Sequence, residues 1–277
     1  MNELQTGARE DVLSFYQNLQ FNVNESPEIA AELIKKKNNV QYIYPSVEDF
    51  YLADNILEMG CGAGWLSNSI AYYYGLDVTA IDFNPNAVEA AKKTSEALDI
   101  DVNFQCADLF KYRCEPKDIV ISVGVLHHTS DVGGGILRCI DLTKTGGKVF
   151  IGLYHAYGRK PFLDYFEQLK SENGDEDFLF RKYRELDHRH GDNVQSRSWF
   201  LDQVLHPYES QHTLQEIVKI FQQAGVRLVS TSINNYNRDF QLDELYEAEK
   251  KLYDVGMQYL RKQEYFPGFF YVLGQKE

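Results

Sequence analysis

Short apolar runs alternate along this chain with longer stretches in which apolar side chains recur three or four residues apart, the signature of strands alternating with helices. Apolar runs fall at residues 56–59, 78–81, 101–108, 118–125 and 147–154, with helical stretches predicted between them at 66–74, from Pro85 through 87–98, and at 136–142. Strand and helix in alternation imply parallel strands joined by right-handed crossovers, an α/β sheet wound on both faces. Ahead of this lies a helical extension. Val12, Leu13, Phe15, Tyr16 and Leu19 form an apolar stripe, and a second helix is predicted from Ser26, its cap, through Pro27 toward Lys37. Tyr42, Tyr44 and Tyr51 follow in a loop and short helix. After the alternating half, Thr213-Leu214-Gln215-Glu216 reads as a capping box opening a helix that ends near Gly225. Residues 226–233 read as a sixth strand, Asp239 to Gln263 as one long helix with an acidic first turn, and residues 267–274 as a seventh strand.

The first strand runs into Glu58-Met59-Gly60-Cys61-Gly62-Ala63-Gly64-Trp65. Glycines spaced in this way bring bare backbone up to a ligand, because glycine lacks a Cβ and tolerates positive φ. Asp82 closes the second apolar run, where a carboxylate can accept the hydroxyls of a ribose. A dinucleotide fingerprint wants its third glycine at position 65, but that position is Trp65 and the glycine stands at 64. The stretch resembles motif I of the class I S-adenosylmethionine-dependent methyltransferases, and later stations of that family's pattern follow in order. Asp108 and Leu109 end the third run, Gly124 follows the fourth, and Gly146-Gly147 leads the fifth. The resemblance covers residues 55–154 and, less specifically, 213–276. It implies a Rossmann-like, seven-stranded, mostly parallel sheet with helices on both faces, an antiparallel last strand and helical cap insertions. It also implies S-adenosyl-L-methionine as cofactor, held by Glu58, Gly60, Cys61, Gly62, Gly64, Asp82, Phe83, Asp108, Leu109 and Gly124. Asp82 would take the ribose and Asp108 the adenine amino group, although a strand-end aspartate also closes turns on its own account.

The minimal family fold does not account for residues 155–212, which intervene between the fifth strand and the capping box. Ligands bind at the carboxyl edge of such a sheet, so this insertion is the expected substrate lid. The chain thus divides into a helical extension or lid (1–52), a cofactor-binding half (53–154), a substrate cap (155–212) and a closing part (213–277) with an inserted cap helix at about 239–263. Whether the extension covers the cofactor mouth or only packs on the sheet edge is open. For a hydroxyl or ammonium acceptor, His128, Tyr154 and His155 are the candidate bases; a sulfide or carboxylate acceptor needs none. Tyr16, Tyr157, Arg159, Arg197, Trp199 and His206 are candidate substrate contacts: the cations for an anionic group, the aromatic rings for a cation. Each of these could equally hold the lid to the body. No metal is expected. Adjacent His127 and His128 diverge, and Pro207 interrupts any helix carrying His206, Glu209 and His212.

Composition narrows the substrate. With 28 basic and 41 acidic residues the net charge is −13, which disfavours broad binding to a phosphate backbone and so disfavours nucleic acid. Cys61, Cys106, Cys114 and Cys139 lack zinc-type spacing and read as reduced thiols. Met1 to Glu10 lacks the basic start and apolar stretch of an export signal, and no run is long enough to span a membrane, so a cytoplasmic location is expected. The favoured function is methyl transfer to a small metabolite. The alternatives are a methyltransferase of RNA or a protein side chain, which needs an open groove, and a non-catalytic cofactor-binding protein, which needs a blocked methyl face.

Overall fold

The computed structural model describes residues 9–19, 26–38, 40–172, 174–189 and 193–277. Residues 1–8, on which most of the export-signal expectation rests, lie outside these. The amino-terminal extension folds as α1 (Glu10–Asn18), α2 (Pro27–Lys36), α3 (Val40–Ile43) and α4 (Glu48–Tyr51). Ser26 caps α2 by accepting from the Ile29 amide, and Pro27 occupies the first turn, where its missing N–H costs nothing. The alternating half follows as β1 (Asn55–Met59), α5 (Trp65–Tyr74), β2 (Asp77–Asp82), α6 (Pro85–Leu98), β3 (Asn103–Cys106), β4 (Lys117–Val123), α7 (Val132–Asp141) and β5 (Thr143–Tyr154). The insertion contributes α8 (Ala156–Glu172), α9 (Glu176–Leu186) and α10 (Asn193–Val204). The chain closes with α11 (Leu214–Gln223), β6 (Val226–Thr231), α12 (Leu242–Lys250), α13 (Leu252–Arg261) and β7 (Phe269–Lys276).

The seven strands lie in the order β3-β2-β1-β4-β5-β7-β6. The first five run parallel, and β7 lies antiparallel between β5 and β6. Strand order reverses beside β1, so the carboxyl ends of β1 and β4 open a crevice at the switch point. Alternating side chains of the buried strands feed opposite layers. Leu57 and Met59 pack with Ile136 of α7 and Ile217 and Phe221 of α11, while Ile56 packs with Leu66 and Ile70 of α5 and Ala91 of α6. A third cluster, Phe162, Phe166, Tyr183 and Phe200, gives the inserted helices an apolar core of their own.

Two expectations about elements are corrected. The helix expected over 239–263 is two, broken at Lys251, whose amide turns back to the Ala248 carbonyl at 3.1 Å. Helix α7 begins at Val132, ahead of the expected Ile136, because Asp131 caps the Gly134 amide at 2.8 Å and Leu126 lies against Gly135.

Candidate functional site

The turn after β1 is built as its glycines require. Gly60, Gly62 and Gly64 have φ of +85°, +51° and +75°, in the left-handed region that side chains with a Cβ disfavour. The amides of Gly60 and Cys61 both donate to the Ile81 carbonyl, at 2.8 and 2.9 Å, which pins the turn to the end of β2. A Cβ on Gly60 would stand 2.4 Å from Val125 Cγ2, and one on Gly64 2.6 Å from the Ala91 methyl, whereas Gly62 faces open space. Asp82 joins the two strand ends: one carboxylate oxygen accepts from the Gly62 amide at 2.8 Å and the other from the Asn84 amide at 2.9 Å. Each oxygen keeps a lone pair for a ligand.

These residues border a cleft of about 920 Å³. All of the residues expected to hold the cofactor line it except Gly64, which packs against Ala91 and Phe104. Glu58 sits at the floor, buried, with the Ser67 hydroxyl donating to it. Burial pushes its carboxyl up to about 8, against the Ser67 hydrogen bonds and with a smaller contribution from nearby Asp82. Burial also raises Asp82, against the pull of its amide donors. Asp108 accepts from the Phe110 amide at 2.9 Å, so it closes a turn and also faces the cleft.

Tyr16, from α1, and His128, just after β4, also line the cleft. The Tyr16 hydroxyl donates to Asp202 of α10 at 2.6 Å, and its carbonyl accepts from Asn84 Nδ2 at 2.9 Å. Helix α1 therefore bridges the cofactor loop and the cap. His128 Nδ1 lies 2.9 Å from the Tyr208 carbonyl, which fixes the proton on that nitrogen and leaves an electron pair on Nε2. Burial brings the His128 imidazole down to about 4, so it is neutral at pH 7.

The other candidates from the sequence are placed away from the cleft lining. Tyr154 is buried beneath His127, ring centroids 4.1 Å apart, and its hydroxyl accepts from Gln203 at 2.7 Å. His155 Nδ1 accepts the Tyr157 and Gly158 amides, capping α8, while its Nε2 pairs with buried Glu249 at 2.9 Å. The half-buried Tyr157 ring lies 5.7 Å from that imidazole. Arg159 is fully buried and gives two parallel bonds to Glu209, at 3.0 and 2.8 Å, and further bonds to Gln203. Its carboxylate partner is thus internal. Arg197 pairs on the surface with Glu176 and Asp177, tying α10 to α9. Trp199 packs in the apolar core of the insertion under Arg189. His206 stacks on His128 at 3.8 Å, behind the cleft wall. Sequence reasoning missed Arg9, Asn84 and Gln195 as lining residues. Asn84 had a usable signal, lying two residues beyond the ribose acid and opening α6; Arg9 and Gln195 are placed by tertiary packing alone.

The class that fold and motif point to is matched over part of the chain: residues 56–147 match the family model described as a methyltransferase domain. Among curated proteins the chain is similar to the ubiquinone biosynthesis O-methyltransferase of Coxiella burnetii (strain Dugway 5J108-111), with 33% identity over 98 residues, 35% of this chain and 42% of that protein. The match thus spans less than half the length of that relative. Among solved structures, PKMT2 from Rickettsia typhi in complex with AdoHcy superimposes with a TM-score of 0.58 at 13% identity, over 92% of this chain and 53% of that one. The plantazolicin methyltransferase BamL, in complex with a triazolic desmethylPZN analog and SAH, gives 0.54 at 13% identity, over 96% and 95% of the two chains. At such identities these two establish the shared fold. No helix among the described residues is long and apolar enough to cross a membrane.

Proposed function

We propose that this protein transfers the methyl group of S-adenosyl-L-methionine to a small-molecule acceptor inside the roofed cleft. The observation that carries the reading is the cleft itself. It opens at the carboxyl ends of β1, β2 and β4 and is lined by Asp82 and the glycine turn as well as by Tyr16 and His128. Its volume of about 920 Å³ lies toward the upper end of the range for ligand pockets, room for a cofactor and an acceptor together. In this reading the lone pairs left on Asp82 take the ribose hydroxyls and Asp108 meets the adenine. Glu58 lies nearest the cationic end of the cofactor. Methyl transfer from a sulfonium is an in-line displacement, so the protein accelerates it by holding the acceptor against the methyl and keeping water out. His128 is the group we place at the acceptor, because it presents an electron pair rather than a proton there.

The charge layout supports a small acceptor over RNA. Arg159 is committed to Glu209, Arg197 to Glu176 and Asp177, and Arg9, at the cleft mouth, to Asp11 at 2.6 Å. Both cations that the sequence offered for clamping an anion, Arg159 and Arg197, thus have partners within the chain, as does Arg9. Names of relatives point the same way: the curated proteins matched are O-methyltransferases of ubiquinone biosynthesis. The test is to incubate the protein with methyl-labelled S-adenosylmethionine and a fractionated metabolite extract. Label in a small molecule, lost in His128→Ala while cofactor binding persists, is the expected result. Label only in RNA or protein fractions, or cofactor binding with no transfer to any fraction, overturns the reading.

A further inference from the structure

Beside His128 lie two side chains, Asp202 and His206, that methyl transfer as described leaves unused. His128 follows β4, Asp202 lies on α10 and His206 follows that helix, yet one ligand-type atom of each lies within 4.8 Å of the other two. His128 Nδ1 is tied to the Tyr208 carbonyl, which is how proteins hold an imidazole whose other nitrogen binds a metal. His206 Nε2 is buried and has no hydrogen-bond partner among the described residues. Asp202 is buried, accepting from the Tyr16 phenol at 2.6 Å and the Gln203 amide at 2.7 Å, both neutral donors. It forms no ion pair among the described residues. A buried carboxylate beside two neutral imidazoles, with the Arg159 charge acting on it from a distance and no cation in contact among the described residues, is an incomplete electrostatic arrangement.

We propose that His128 Nε2, Asp202 and His206 Nε2 hold one divalent transition-metal ion, of the kind that two imidazoles and a carboxylate select, with its open positions toward the acceptor. The role of the ion rests on the methyl-transfer reading: bound to an acceptor hydroxyl, it would lower that group's pKa so that the proton leaves to water and the oxyanion takes the methyl as the sulfonium C–S bond breaks, His128 Nε2 then acting through the ion instead of directly on the acceptor. The ion site itself does not depend on that role. No metal was expected from the spacing along the sequence, because adjacent His127 and His128 diverge; the fold supplies His128 with partners more than seventy residues away. Binding requires the three groups to close in, since metal–ligand bonds of about 2.1 Å put ligand atoms roughly 3.4 Å apart. It also moves the His206 ring proton to Nδ1, ending that atom's 3.1 Å contact with the Tyr208 amide. Losing one neutral hydrogen bond weakens binding by up to about tenfold.

The experiment is calorimetric titration of Zn²⁺, and separately Mn²⁺, into the chelator-stripped full chain without cofactor, with Co²⁺ absorption spectra reporting the ligand field. One saturable equivalent is expected, weakened at least about a hundredfold in His206→Ala and Asp202→Asn and retained in His212→Ala. S-adenosylmethionine binding by each variant checks that it is folded, and His206→Gln replaces any variant that fails this check. No saturable uptake by the unsubstituted protein, or uptake equal in both site variants, overturns the proposal. Saturable uptake with no methyl transfer to any fraction sinks the functional reading and leaves the site standing; transfer unaffected by chelation, with no uptake, sinks the site alone.

Discussion

Single atoms decide the cofactor side of this molecule, so substitutions there have sharp expected outcomes. Gly60→Ala places a methyl 2.4 Å from Val125 at a φ of +85°, and should cost more than about 2 kcal/mol in thermal or denaturant unfolding. An unfolding midpoint unchanged from the parent would refute the packing described for the turn. Asp82→Ala removes the acceptor for the Gly62 and Asn84 amides and, in the proposed complex, for the ribose. Calorimetry should show S-adenosylmethionine binding weakened at least about thirtyfold; equal affinity removes the ribose assignment. Glu58 carries a pH prediction. Its folded pKa of about 8 lies above the ordinary 4.5, so its contribution to stability is complete below pH 4.5 and is lost as pH rises through 8. In the cofactor-free protein, Glu58→Gln should therefore gain at least about 1 kcal/mol on the parent between pH 5 and pH 8. A cationic cofactor favours the carboxylate, so the parent should release a proton on binding at pH 7 and the variant should not, which calorimetry in buffers of different ionisation enthalpy reads directly. Gly64 shows the limit of reading at this scale: its place in the motif was legible, but only the contacts with Ala91 and Phe104 show that it serves helix packing and does not line the cleft.

Among elements, α1 is the one whose position most affects the cleft, because it reaches from Asn84 beside the cofactor loop to Asp202 on the cap. Tyr16→Phe should raise amide hydrogen exchange within α1 by up to about tenfold while leaving β1 and β4 protected. Exchange unchanged throughout α1 would show that the phenol does not fasten it. Helix α11 is fixed at its start by the reciprocal capping box of Thr213 and Glu216, and Thr213→Ala should cost about 1 kcal/mol in unfolding free energy. That box was legible because both halves of it lie within four residues. The break at Lys251 was not, since no glycine or proline marks it and the apolar stripe runs on through Leu252 and Tyr253. The early start of α7 was hidden for the opposite reason. Three glycines argue against helix by propensity, yet Leu126 would lie 2.7 Å from a Cβ on Gly135, a contact that favours glycine there.

At the scale of the whole molecule, legibility followed how the site is distributed along the chain. The cofactor side comes from strand ends within residues 58–124, each marked by its own apolar run and turn, so the sheet, the glycine turn and Asp82 could all be read in advance. The side we assign to the acceptor combines α1, the segment after β4 and the insertion, whose approach depends on packing around the buried Arg159 and Gln203 and the partly buried Glu209. From composition alone, a polar residue of the cap that meets substrate and one that holds the cap together look the same. Hence Tyr16 and His128 line the cleft, whereas Tyr154, His155, Tyr157, Arg159, Arg197 and Trp199 lie within the cap and its junction with the sheet. The central claim is that S-adenosylmethionine lies across the strand ends with its methyl turned toward His128. A crystal structure of the protein grown with S-adenosylhomocysteine tests this most directly. The account predicts the ribose hydroxyls on the Asp82 carboxylate, the adenine beside Asp108, and the sulfur on the side of the cleft that faces His128 and Tyr16. Density for the ligand outside this cleft, or with its sulfur turned away from His128, would contradict it.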